Sequence, residues 1–290
     1  MKLNIKIQIL FLLFSSIFIA CQNKKSNYNE HEINNEIVDV QEETQEVENE
    51  ELDTIKPIIE EKDTVERNST YNSKPARLIS DIEAYKNHIE KNPKHKLIRL
   101  ADHNSKIKLV PRYYGTNNIF DRSLYSMPEV FICIQIAESL SAINQELEED
   151  GYRLIVWDAY RPYSVTVEMW EHIRNPRYAA TPQKGSRHNR GMAVDVSIEK
   201  LDGTKVEMPT DFDDLSREAS PLYHGISHEA RQNRDYLIAK MQKHGFTVLS
   251  SEWWHFDYKG WSYVPLFDIS FEDLLRIEKE QYLKISKKIK

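Results

Sequence analysis

The segment Ser186-Arg187-His188-Asn189-Arg190-Gly191-Met192-Ala193-Val194-Asp195 sets an imidazole and a carboxylate on either side of a glycine. In a strand, Asp195 points opposite to Val194 and Val196, so the valines face a core while the carboxylate faces a cleft. Gly191 lets the chain turn back and carry His188 to the same point. An ionised carboxylate between valines needs a metal or a strong hydrogen-bond partner. Ser251-Glu252-Trp253-Trp254-His255 supplies a second carboxylate and imidazole. A regular strand sends Glu252 and His255 to opposite faces, so they share a site only if the backbone bends near Trp253. Trp157-Asp158-Ala159-Tyr160-Arg161-Pro162 places an arginine directly after an apolar run. Taken alone, Arg161 fits an ion pair with Asp158 or a helix cap, and each histidine fits an ordinary core or surface position. The two cysteines, Cys21 and Cys133, cannot build a cysteine-rich zinc module, so any metal here uses His and carboxylates.

These groups need a scaffold that holds them at strand ends. Asp81–Asn92 is expected to be helical, with Ile82, Tyr85 and Ile89 on one face. Pro128–Glu149 repeats Ile132, Ile136, Leu140, Ile143 and Leu147 at helical spacing and stops at Gly151. Arg153–Trp157 reads as a buried strand, and Ser164–Ile173 as a helix with Ser164 as its cap. Gly191–Ile198 and Phe246–Leu249 read as strands, and His228–His244 and Phe271–Lys288 as helices. The order implies an α+β fold with a small, mainly antiparallel sheet flanked by helices.

Charge divides the 290 residues unevenly. The net charge is -7, and residues 22–74 alone carry fifteen Asp/Glu against six Lys/Arg, while residues 75–290 balance at zero. Without a basic cluster longer than a pair before the C-terminal tail, the chain has little electrostatic footprint for nucleic acid. Between Glu30 and Asp53 there are eleven acidic residues, no Lys or Arg, and no sustained apolar period. Such a stretch cannot offset its ordering entropy, so residues 22–74 are expected to be an acidic, self-repelling tether whose coil dimension is on the order of 40 Å. Residues 75–290 are the expected globular domain.

Residues 1–21 read as an export signal: Lys2 and Lys6, the apolar run Ile7–Ala20, then Cys21. Phe18-Ile19-Ala20-Cys21 resembles a bacterial lipobox, with Phe where Leu is usual. The resemblance implies cleavage before Cys21 and a lipid anchor on its sulfur, hence an exported lipoprotein of the cell envelope held to a membrane; the alternative is an ordinary cleaved signal peptide. Cys133, in the apolar stretch Val130–Ile136, is expected to be a buried, inert thiol.

The three polar groups together resemble the zinc-dependent D-alanyl-D-alanine dipeptidases of the vancomycin-resistance type. The family pattern Ser-x-His-x-x-Gly-x-Ala-x-Asp is matched by Ser186, His188, Gly191, Ala193 and Asp195, and its Glu-x-x-His by Glu252 and His255. Asp158–Pro162 resembles the family's arginine segment. Further agreement comes from Tyr113–Asn118, from Met208–Asp213 with Pro209 in place of the family's Gly, and from Arg231–Phe256. The resemblance runs from about Leu97 to Tyr258.

It implies one zinc ion held by His188, Asp195 and His255, with Glu252 as general base and Arg161 as the positive charge beside the scissile carbonyl. It also implies that Asp213 and Tyr113 hold the free ammonium of a small D,D-dipeptide, Tyr114 fitting with a one-residue shift, and that Ser186 lies near the dipeptide's C-terminal end. The expected function is hydrolysis of D-Ala-D-Ala in cell-wall metabolism. A D,D-carboxypeptidase acting on peptidoglycan stems and a non-catalytic wall-binding lipoprotein are the alternatives.

Overall fold

A computed structural model describes residues 75–176 and 178–289. The expected export signal, Cys21 and the expected acidic tether lie outside the described residues. Nine strands and six α-helices follow one another as β1 (Leu78–Ile79), α1 (Ile82–Lys91), β2 (Leu97–Arg99), α2 (Leu100–His103), β3 (Lys108–Leu109), β4 (Phe131–Cys133), α3 (Ile134–Glu149), β5 (Tyr152–Asp158), α4 (Tyr163–Ile173), β6 (Ala193–Lys200), α5 (His228–Lys243), β7 (Phe246–Leu249), β8 (Glu252–Tyr258), β9 (Leu266–Phe267) and α6 (Phe271–Ile289). The central sheet runs β3-β5-β6-β8-β7, antiparallel throughout except for the parallel pair β3/β5. The α+β expectation holds, with β6 at the sheet's centre.

Helix α3 backs this sheet. Ile136, Ala137, Leu140, Ile143 and Leu147 form its buried stripe, each large member contributing about 2 kcal/mol of apolar burial. Buried Asn144 accepts from the Leu154 N–H at 2.9 Å and so ties the helix to β5. Gly151, with φ +86°, makes the tight turn that reverses the chain from α3 directly into β5. On α5, Ser227 caps the first turn through Ala230 N–H at 2.9 Å, and Leu237 and Met241 are fully buried.

Two expectations need correction. The apolar period from Pro128 is not helical at its start, because Phe131–Cys133 pairs antiparallel with Leu97–Arg99; α3 begins only at Ile134. Ser164 does not cap α4. Pro162 occupies the cap position, and the Ser164 N–H is satisfied instead by Asp268 Oδ1 at 2.8 Å. Cys133 is buried as expected, and burial pushes its thiol up to about 11.

Candidate active site

The site lies where the ends of β5, β6 and β8 meet. Asp195 on β6 pairs across the sheet with His255 on β8, and residues directly opposite in an antiparallel pair project to the same face. On its other side Asp195 pairs with Asp158, where a register shift between Val156 and Asp158 leaves Trp157 as a bulge. His188 arrives on a 3-10 turn, His188–Arg190, that Gly191 closes at φ +62°. Fully buried Asn189 fastens this turn: its amide donates to Arg161 O and Thr166 Oγ1, both at 2.8 Å, and its carbonyl accepts from Ser186 N–H.

The histidine tautomers follow from what each ring touches on its outer side. His188 Nδ1 lies 2.7 Å from the carbonyl of Ala159, which can only accept, so Nδ1 carries the proton and Nε2 is a bare lone pair. His255 Nε2 lies 3.1 Å from Asp257 Oδ1, which directs its proton outward and its Nδ1 lone pair inward. Those inner nitrogens are 3.0 Å apart, and Asp195 is 3.0 Å from one and 3.4 Å from the other. One ligand atom from each of His188, Asp195 and His255 lies within 4.8 Å of the others, and all three residues are buried. Three converging electron-pair donors repel one another unless a cation sits among them. Burial opposes charge on His255, but hydrogen bonds to Asp195 and Asp257 raise its pKa to about 10. The donor set therefore fits a divalent metal with two neutral imidazoles and one carboxylate.

Around this trio stands a cleft of about 550 Å³ lined by Glu252, Arg161, Ser186, Asp213 and Tyr113 as well as by the trio itself. All eight residues of the domain singled out from sequence meet there. The bend required near Trp253 is real: the β7/β8 register runs Val248↔Phe256 and then Leu249↔Glu252, so β8 passes Trp253, Trp254 and His255 without ladder partners on β7. Glu252 and His255 consequently face the same cleft. Burial raises the Glu252 pKa, with His255 opposing and Asp195 reinforcing the shift.

Arg161 is buried and donates to Asp158 Oδ2 through Nε at 3.0 Å and Nη2 at 2.6 Å. Tyr125 completes the carboxylate's shell by donating to Asp158 Oδ1 at 2.5 Å. The Asp158 pairing that competes with a functional role in the sequence proves to be what aims the guanidinium into the cleft, over the Tyr113 ring at 5.0 Å. Tyr113 is buried and lines the cleft, whereas Tyr114 is exposed and does not. Its hydroxyl donates to Asp213 Oδ1 at 3.0 Å, while buried Oδ2 of Asp213 has no partner. Asp213 holds a left-handed φ of +60°, fixed by Phe212, which packs against Tyr113, Trp157 and Trp254.

Sequence reasoning missed Asp257, the outer partner of His255. Its position two residues after His255 on the same strand puts both on one face, a signal available from strand periodicity. The Ala159 carbonyl that orients His188 carried no such signal, since a backbone oxygen leaves no mark in residue types.

Residues 94–269 match the M15 peptidase family described as D-ala-D-ala dipeptidase. The chain belongs to this peptidase family. Among curated relatives within it, the D-alanyl-D-alanine dipeptidase of Escherichia coli K12 is 28% identical over 163 residues, covering 55% of this chain and 83% of the relative. That of Enterococcus faecium is 30% identical over 151 residues, covering 46% and 75%. Among solved structures, the vancomycin-resistance D,D-dipeptidase VanXYg, in complex with a D-Ala-D-Ala phosphinate analogue, overlaps at a TM-score of 0.31 and 18% identity over 56% of this chain and 67% of that one, too partial a likeness to add to the family assignment.

Proposed function

We propose that residues 75–290 form a zinc D-alanyl-D-alanine dipeptidase that releases two D-alanines from the free dipeptide. The observation that carries this reading is the set of groups the cleft gathers: a carboxylate at Asp213 with one unpartnered oxygen, three metal donors, a half-buried Glu252 and a fixed arginine. His188, Asp195 and His255 would hold the zinc, which when bound acts as a Lewis acid on the scissile carbonyl and on water. Asp213 receives the substrate ammonium through its free Oδ2, and Tyr113 keeps that carboxylate in place. Glu252 takes a proton from the water that attacks the amide carbon and delivers it to the leaving nitrogen as the C–N bond breaks. A carboxylate with a raised pKa is a stronger base for that first transfer. Arg161 faces the oxygen that gains negative charge, and because Asp158 already orients it, no reorganisation is required during the reaction.

A buried carboxylate awaiting a cation favours a substrate with a free amine, which a stem peptide lacks at that point. The test is D-Ala release by the purified zinc-loaded protein from D-Ala-D-Ala and from a stem pentapeptide. Release from the dipeptide alone supports the reading; release from the pentapeptide alone makes the protein a D,D-carboxypeptidase, and no release with no bound zinc makes it a wall-binding protein.

Residues 1–21 support a further part of the proposal, that the enzyme is exported and anchored through a lipid on Cys21. Beyond the cytoplasmic membrane it would meet only dipeptide released from the wall, so its role would be recovery of D-alanine rather than removal of the cytosolic precursor. Expression of the full-length chain should leave the cytosolic D-Ala-D-Ala pool intact. A collapse of that pool with the protein correctly exported would overturn this role.

A further inference from the structure

The cleft is also lined by Ser186 and Arg187, the two residues that lead into the metal donor His188. The Arg187 guanidinium is held on two sides: Nη1 is ion-paired with Asp257 Oδ2 at 3.1 Å, and Cζ lies over Trp261, 4.9 Å from the ring centroid. Trp261 itself sits on a short turn, Trp261–Tyr263, whose outgoing carbonyls are gripped by two more arginines. Arg77 donates to Ser262 O at 2.9 Å and to Tyr263 O at 2.7 Å, and Arg190 donates to Val264 O. Arg190 commits Nη1 to that carbonyl and lies over the same Trp261 ring, 5.4 Å from its centroid. Lys184, which also lines the cleft, is exposed.

Arg187 differs from both in being ion-paired with Asp257, the residue that orients the metal donor His255. It is rigidly placed, lines the cleft, and keeps 38% of its side chain exposed with one edge of the fork uncommitted. Ser186 Oγ accepts from His188 N–H at 3.2 Å and retains its own proton to donate. A planar cationic fork beside a hydroxyl donor is the chemistry of carboxylate recognition. Because both residues directly precede His188, a group bound to them lies next to the metal donors.

We infer that Arg187, assisted by Ser186, is the specificity-determining receptor for the terminal carboxylate of the substrate. The inference rests on the peptidase reading above and deepens it: the cleft matches a zwitterion, ammonium to Asp213 and carboxylate to Arg187. Asp257 then serves both ends of one brace, holding Arg187 through Oδ2 and His255 through Oδ1.

The experiment compares D-Ala-D-Ala with its C-terminal amide on the zinc-loaded protein, in wild type, Arg187→Gln and Arg187→Lys. Loss of one charge-assisted carboxylate contact should raise KM for the acid by about 10–100-fold while leaving kcat and the amide's KM within about threefold. Wild-type preference for acid over amide should therefore collapse in Arg187→Gln, and Arg187→Lys, which keeps the charge but not the fork, should fall between. Zinc affinity, read by chelator competition, should stay within about threefold of wild type, since Asp257 still holds His255. Acid preference surviving in Arg187→Gln overturns the inference, as does an equal loss for acid and amide together with weakened zinc. If wild type cleaves a stem pentapeptide but neither dipeptide, the dipeptidase reading fails separately, and the same comparison on the pentapeptide acid and amide decides the role of Arg187.

Discussion

The Tyr113 hydroxyl donates to one oxygen of Asp213 and leaves the other buried and bare, so this carboxylate is held open for a cation. Burial and the nearby Asp195 raise its pKa to about 7 in the metal-free protein. Between its ordinary value near 4 and about 7 the folded state holds a proton that the unfolded state does not. Stability of the metal-free protein should therefore fall as pH rises through that window, with the full cost present above it. Asp213→Asn should flatten the dependence and raise Tm at pH 8 by about 2–4 °C, as followed by thermal melts across pH. With zinc loaded, the metal's charge should draw the titration lower. KM for D-Ala-D-Ala should still rise as Asp213 protonates, and Asp213→Asn should raise it by about 10–100-fold with a smaller change in kcat.

Glu252→Gln preserves shape but cannot accept a proton. It should retain zinc, measured by elemental analysis, and lose about 10²–10⁴ in kcat. Turnover within about tenfold of wild type would remove Glu252 from the role of base.

Arg161 has two functions that different substitutions separate. Arg161→Ala strands Asp158, which is 1% exposed, as an uncompensated buried charge, and should cost about 3–5 kcal/mol of stability. Arg161→Lys retains a charge for Asp158 yet loses the fork, so it should keep most of the stability and still forfeit about 10²–10³ in kcat. Equal kcat losses with no difference in Tm between the two would contradict this division.

The His188 turn depends on Gly191. Besides its positive φ, a Cβ there would meet the backbone nitrogen of Cys133 and Leu97 Cδ2, each at 2.7 Å. Neither the helix entry at Cys133 nor the β2/β4 pair can move freely. Gly191→Ala should lower stability by about 2 kcal/mol or more and weaken zinc binding through displacement of His188, readable by denaturant melts and chelator competition.

Much of this site was legible before any coordinates, because its chemistry resides in side chains grouped at three short segments. Asp195 between valines and Glu252 three residues before His255 announce a polar edge on a buried strand. What stayed hidden depends on long-range pairing. Nothing near Pro128 reveals that Phe131–Cys133 finds a strand partner more than thirty residues earlier, which delays α3 to Ile134. Asp268, about a hundred residues downstream, displaces Ser164 from its expected capping role. Asp158 could be suspected as the partner of Arg161, but its burial beside Tyr125 emerges only from tertiary packing.

The passage of β8 past β7 between Phe256 and Glu252 also bears on how the enzyme would fail. His255 and Asp195 lie on adjoining interior strands, whereas Glu252 takes its ladder pairing from Leu249 on β7, a four-residue strand at the sheet's edge. Edge strands exchange their amide hydrogens through small local openings that leave a sheet's centre closed. Mild denaturant should therefore free the Glu252 end while the zinc donors remain assembled. Activity would fade ahead of metal release, leaving a folded, metal-loaded and silent protein as the first product of partial unfolding.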